Sequence, residues 1–189
     1  MKPQVIVIGC SMGGFNALRT VLGGLDRSLP AAVIVCCHAG PGSDVEVLCE
    51  LLGTTCALPV VEAREREPVR PATVQVAPGG YHLLVELARR FSLSVDAPVS
   101  YARPSIDVLF ASIADSYGKD AVGVVLTGAN ADGAEGLQRM RGRGALAVIQ
   151  DPATAEAARM PQAALDRAGA DHCLALHAIP GLLNRLCLA

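Results

Sequence analysis

Short apolar runs alternate with longer stretches of helical period along this chain. Val5 to Ile8, Ala32 to Cys36, Thr73 to Val76, Ala121 to Leu126 and Ala145 to Ile149 are continuous hydrophobic runs of strand length, rich in β-branched residues. Between them, Gly13 to Leu22, Asp44 to Leu52, Pro104 to Ser116 and Asp132 to Arg141 repeat their apolar positions every three to four residues. Strands that are apolar on both faces and separated by helices predict a doubly wound, mostly parallel sheet in a three-layer α/β/α arrangement. Two places break the rhythm. After Val76-Ala77-Pro78-Gly79-Gly80, the segments Tyr81 to Glu86 and Arg90 to Val95 predict a short antiparallel excursion, and the charged run Glu62 to Arg70 reads as a solvated connection.

Composition agrees with this pattern. Of 189 residues 51% are hydrophobic but only 3% aromatic, so Val, Leu, Ile and Ala must fill the core. That length suits one domain, taken as 1–189, with no repeat and no linker long enough to divide it. A net charge of −2 with interspersed signs argues against nucleic acid as a partner. The first apolar run is too short for a signal-peptide core or a membrane span, which predicts a cytoplasmic protein without membrane insertion. Seven cysteines without a C-x-x-C pair give little support to a disulfide framework or a structural zinc. Cys36-Cys37-His38 is no better a metal site, because adjacent strand side chains point to opposite faces.

The chemistry concentrates in Gly9-Cys10-Ser11-Met12-Gly13-Gly14, which follows a strand and opens a helix. As a dinucleotide fingerprint it has Ser11 in place of the second glycine and lacks the acidic residue expected about 20 positions later. As a phosphate loop it lacks the lysine. As a G-x-S-x-G nucleophile elbow it is complete, with Gly9 and Gly13 flanking Ser11 in a turn that exposes the serine oxygen. From this segment alone, Ser11 serves equally well as a helix N-cap.

A catalytic serine needs a base, and the base needs an acceptor. His38 follows the second strand and opens onto the same crevice as Ser11, whereas His82, His172 and His177 fit surface or packing roles. Asp132, in Leu126-Thr127-Gly128-Ala129-Asn130-Ala131-Asp132-Gly133, follows another buried strand and is either the orienting acid or a helix cap. The order Ser, acid, His of the α/β-hydrolases would instead select His172, but that fold draws oxyanion donors from a loop ahead of the nucleophile strand. Ser11, His38 and Asp132 is therefore the preferred set.

These segments, with Ala77-Pro78-Gly79-Gly80-Tyr81-His82, Arg103-Pro104-Ser105-Ile106-Asp107-Val108-Leu109-Phe110 and Gln150-Asp151-Pro152-Ala153-Thr154 followed by Met160-Pro161, resemble the catalytic domain of the CheB-type chemotaxis protein-glutamate methylesterases over nearly the whole chain. The resemblance implies hydrolysis of glutamyl γ-methyl esters on the cytoplasmic bundle of methyl-accepting chemoreceptors, deamidation of certain receptor glutamines, a Ser11, His38, Asp132 triad, a backbone amide of the Met12 and Gly13 turn that helps hold the oxyanion, and no cofactor. The chain departs from the usual family residues at Met12, where Thr is common, and at Ala129, where Met is common. Its His38-Ala39-Gly40-Pro41-Gly42 segment is also smaller and more flexible. A receiver domain, usual ahead of the family's catalytic domain, has no counterpart before the first strand, so regulation is expected from another protein, expression level or receptor state. Arg103, Arg139, Arg141 and Arg143 are candidates to steer an acidic receptor surface. Two other functions stay open: a catalytically weak receptor-binding or scaffold module, and an esterase or amidase outside chemotaxis.

Overall fold

The computed structural model describes residues 2–38 and 44–188. Strand β1 (Val5–Cys10) is buried along its whole length and lies at the centre of a seven-stranded parallel sheet. On one side it pairs with β2 (Ala32–Cys37), then come β4 (Val74–Val76) and the edge strand β3 (Val60–Glu62). On the other side lie β7 (Ala121–Val125), β8 (Leu146–Gln150) and β9 (His172–Leu174). The chain therefore fills one side of β1 first, reaching edge strand β3 before inserting β4, and the other side afterwards, so the order reverses around β1.

Alternate side chains of each strand serve two helix layers. Ile6, Ile8 and Cys10 of β1 pack with α1 (Gly14–Gly23), α2 (Val45–Gly53) and α6 (Ile179–Leu188). Val5 and Val7 pack on the opposite face with α3 (Ile106–Ser116), α4 (Ala134–Gly142) and α5 (Arg159–Ala168). The expected antiparallel excursion is a two-stranded hairpin of β5 (His82–Val85) and β6 (Phe91–Ser94), whose Leu83, Val85 and Phe91 join that second layer.

The doubly wound α/β/α reading is thus the observed architecture, with element ends shifted by one or two residues. Four elements were not anticipated. β3 ends at Glu62, the first residue of the stretch read as a solvated connection, and its Val60 and Val61 pair in register with Val74 and Gln75. β9 closes the far edge, α6 completes the first layer and α5 the second. α5 carries Pro161 at its third position, where the missing amide costs no intrahelical bond. Among the described residues no helix is long and apolar enough to cross a membrane.

Candidate active site

Parallel pairing aligns β1 with β2 so that Cys10 lies opposite Cys37, and the next residues along each strand are Ser11 and His38. The His38 amide donates to the Cys10 carbonyl (3.1 Å), continuing the ladder one step past the strands. On the other flank the Ser11 amide donates to the Thr127 carbonyl (2.9 Å), just past the end of β7. Ser11, His38 and the loop leading to Asp132 therefore meet over the C-terminal ends of three adjacent strands, where the strand order reverses and open α/β sheets bind ligands.

The imidazole and carboxylate are closed on each other, with His38 Nε2 2.6 Å from Asp132 Oδ2. Asp132 is fully buried, and His38 is 13% exposed. A buried carboxylate must be well satisfied to stay ionised. Asp132 also accepts the Ser105 hydroxyl (2.8 Å) and the amides of Ile106 (2.7 Å) and Asp107 (3.0 Å), at the positive N-terminus of α3. Burial pushes this carboxyl up, but the bonds from His38, the two amides and Ser105 outweigh it and leave the group below the usual carboxylate value. Because Nε2 faces the acid, Nδ1 is the imidazole nitrogen left to exchange a proton elsewhere.

Both residues with a competing cap reading are resolved by their partners. α1 has Gly13, not Ser11, as its N-cap, and no side chain caps it. Gly13 holds φ 75°, the left-handed conformation that glycine adopts without cost, so the turn can lift Ser11 above the helix. Asp132 does cap a helix, but that helix is α3. α4, which it precedes, starts at Gly133 with φ 95°.

Around Ser11 the turn is pinned from outside. The buried Thr127 hydroxyl donates to the Met12 carbonyl (2.9 Å) and accepts the Ala157 amide (2.8 Å), while Gln150 Oε1 accepts the Thr127 amide (2.9 Å). The amides of Met12 and Gly13 have no protein acceptor among the described residues, so they are free to meet an oxyanion. Met12 itself projects outward, 59% exposed.

Of the other predicted features, His82 is buried and structural: its Nδ1 accepts the Ser105 amide (3.2 Å), and its Nε2 lies 3.1 Å from the Ala97 carbonyl. His172 lies on edge strand β9, three strands from β1, and His177 in a short turn before α6. Cys36 and Cys37 fall on opposite sheet faces, and no group of three or more His, Cys, Asp or Glu side chains among the described residues is placed to hold a metal. Arg139 and Arg143 share Asp115, Arg141 pairs with Asp171, and Arg103 donates to the carbonyls of Val95 and Asp96. Three of these charges are paired at the surface, and Arg103 bonds only neutral carbonyls. The Ala39 to Gly42 part of the histidine segment lies outside the described residues. A cavity of about 330 Å³ lined by Lys2, Gln4, Arg89 and Tyr117 opens at the opposite end of the sheet, where none of the candidate catalytic residues lies.

Sequence reasoning passed over Ser105, Thr127, Gln150 and Asp107, the residues that hold the others in place. Each lies in a segment that carries the family resemblance, but nothing along the chain marks its partner, as with Gln150 at the end of β8.

Comparison with known proteins bears on the chain as a whole. The family model for CheB methylesterase matches residues 6–183. A relative from Leptospira interrogans is 42% identical over 186 residues, 98% of this chain and 96% of its own length. The protein-glutamate methylesterase/protein-glutamine glutaminase of Symbiobacterium thermophilum is 37% identical over 182 residues, 96% of this chain and 50% of that protein. The crystal structure of the Thermotoga maritima CheB methylesterase catalytic domain superposes with a TM-score of 0.92 at 30% identity, covering 98% of this chain and 100% of that one.

Proposed function

The chain belongs to the CheB methylesterase family, and from that premise and the geometry around Ser11 we propose that it hydrolyses glutamyl γ-methyl esters on the cytoplasmic helical bundle of methyl-accepting chemoreceptors. The proposal gives the reaction to one catalytic domain, residues 1–189, acting in the cytoplasm during chemotaxis adaptation. It extends to deamidation of certain receptor glutamines, since an amide carbonyl offers the same tetrahedral chemistry. The observation that carries it is the 2.6 Å pair of His38 and Asp132 set at the strand ends beside Ser11.

In the first half-reaction Ser11 Oγ attacks the ester carbonyl carbon while His38 Nδ1 takes the hydroxyl proton. The carbonyl oxygen becomes an oxyanion facing the Met12 and Gly13 amides. Collapse breaks the bond to the methoxy oxygen, His38 returns its proton there, and methanol leaves. Water then repeats the attack with His38 as base, releasing the glutamate carboxylate and restoring Ser11. Asp132 remains ionised throughout, fixing the tautomer and balancing the imidazolium, a role suited to a carboxyl held below the usual value. Ser11 Oγ makes no hydrogen bond to His38 in the free protein; such contacts often tighten only when substrate binds.

The test is methanol release from methyl-labelled receptor. Release by the wild type and a loss on the order of 10⁴-fold in Ser11→Ala is expected. No release from the wild type, or equal release from the variant, overturns the proposal. A second reading, a receptor-binding module with little turnover, is favoured by Met12 and Ala129, both exposed beside the turn. Rapid labelling of Ser11 by a fluorophosphonate, lost in His38→Ala, decides against it.

A further inference from the structure

The residues immediately before Ser11 and His38 are both cysteines, and they are in-register neighbours on β1 and β2. Their side chains share a sheet face. Cys10 lies in the core beneath α1, and Cys37, half-buried, packs against that same core, while Cys36 belongs to the opposite layer. Both sulfurs converge under the first residue of α1: a Cβ at Gly14 would stand 2.8 Å from Cys10 Sγ and 3.4 Å from Cys37 Sγ. Adjacent strands lie about 4.8 Å apart, within the Cα separation that disulfides span.

We propose that Cys10 and Cys37 form an oxidation site, a dithiol that hydrogen peroxide converts to an intramolecular disulfide whose closure alters the spacing of Ser11 and His38. The two thiols have the unequal roles this requires. The thiol of Cys10 holds Cys37 below the usual thiol range despite its burial, and Cys37 is the partner a small oxidant can reach. Cys10, raised by its contact with Cys37 and by burial, is sealed from solvent and suits the resolving role. The Cys37 thiolate attacks one peroxide oxygen and breaks the O–O bond, giving a sulfenic acid and, after protonation, water. Cys10 sulfur then attacks Cys37 sulfur, its proton leaves with the displaced hydroxide as a second water, and the S–S bond forms. Two thiols are oxidised and one peroxide is reduced to two waters. Cys49 and Cys187 are poorly suited, pushed up to about 11 by burial.

The consequence follows from adjacency. A disulfide brings its two Cβ atoms to about 3.8 Å, closer than in-register neighbours on parallel strands rest, so the ends of β1 and β2 must shift. Ser11 and His38 are the next residues, and a misplacement of about 1 Å at a reacting centre costs on the order of 10²-fold in rate. This consequence rests on the function proposed above; the oxidation site does not.

The experiment treats the intact protein with peroxide, blocks remaining thiols by alkylation and reads mass and methanol release together. The expected result is loss of two hydrogens in a cross-link joining the Cys10 and Cys37 peptides, with esterase activity at least tenfold lower and restored by dithiothreitol. Cys37→Ser and Cys10→Ser are expected to abolish the cross-link and the peroxide response, whereas Cys36→Ala retains both. A wild type that forms no such cross-link, or a Cys37→Ser protein that still forms one to Cys10, overturns the site. A cross-linked protein with undiminished activity overturns its control of the reaction. If the protein has no esterase activity at all, the mass readout still decides the site.

Discussion

Asp107 and Asp132 each cap the helix that the other introduces. Asp132, two residues ahead of α4, accepts the first amides of α3 from Ile106 and Asp107 (2.7 and 3.0 Å), while Asp107, in the first turn of α3, accepts the Gly136 amide of α4 (2.6 Å). The carboxylate that meets His38 is thereby fixed by two helix N-termini at once. Asp107→Ala leaves the Gly136 amide without its acceptor and lets α4 drift from α3. We expect a stability loss of about 1–2 kcal/mol and roughly tenfold slower turnover, whereas Asp107→Asn keeps an accepting oxygen and stays within about threefold of wild-type rate. Equal rates for wild type and Asp107→Ala would remove the positioning role.

The same pair predicts a pH dependence of stability. Burial, then the nearby charge of Asp132, push the Asp107 carboxyl up to about 6, against the pull of the Gly136 amide. Glu135 and Arg139 also face this residue across a shared cleft. A group whose folded value is raised stabilises the native state below its unfolded value, about 3.9, and loses that contribution as pH climbs to about 6. Melting curves of wild type and Asp107→Asn should therefore diverge between about pH 4 and 6.5. The variant should gain on the order of 1–2 kcal/mol, or roughly 3–6 °C, by the upper end. Asp132, held low, acts in the opposite sense: its contribution is present above its unfolded value and lost in acid as pH falls through its folded value. Parallel curves over that interval would count against the raised Asp107.

Ser105 serves two ends with one hydroxyl, donating to Asp132 and accepting the Val108 amide as the N-cap of α3. Ser105→Ala should cost about 1–2 kcal/mol in denaturant unfolding and lower kcat more than it raises KM, because the acid loses a bond but no substrate contact is removed.

Thr127→Val preserves shape and deletes the hydroxyl that joins the Met12 carbonyl to the Ala157 amide. With that half-buried amide unsatisfied, a stability loss of about 1–2 kcal/mol is expected. Fluorophosphonate labelling of Ser11 should slow by roughly tenfold as the turn loosens.

Gly13→Ala meets two obstacles: a left-handed backbone, and a Cβ only 2.7 Å from Glu156 Oε2. The expected result is a folded protein about 1–2 kcal/mol less stable, with turnover down on the order of 10²-fold. Wild-type kinetics for this variant would show that the turn tolerates another conformation.

The elements legible in advance were those whose signal is local. β1, β2, β7 and β8 announce themselves as apolar runs, and α1 to α4 by their period, because burial on two faces or one leaves a pattern within a single segment. β3 and β9 are three-residue edge strands and carry no such pattern. α5 mixes Arg159, Pro161, Asp166 and Arg167 into a short amphipathic stretch that the alternation did not require.

The sequence by itself determined the α/β alternation, the glycine turn around Ser11 and the placement of His38 and Asp132 just past buried strands. Strand ends in a parallel sheet converge whatever joins them, so the candidates could be named without knowing their contacts. Only the tertiary structure decided what those residues do to one another. The bond between His38 and Asp132 spans 94 positions, and the cap from Asp107 to Gly136 joins two helices. Whether Ser11 is a cap or a free hydroxyl, and whether Asp132 is a cap, an acid or both, depends on which donors stand within about 3 Å. That is a property of packed neighbours, and no spacing along the chain encodes it.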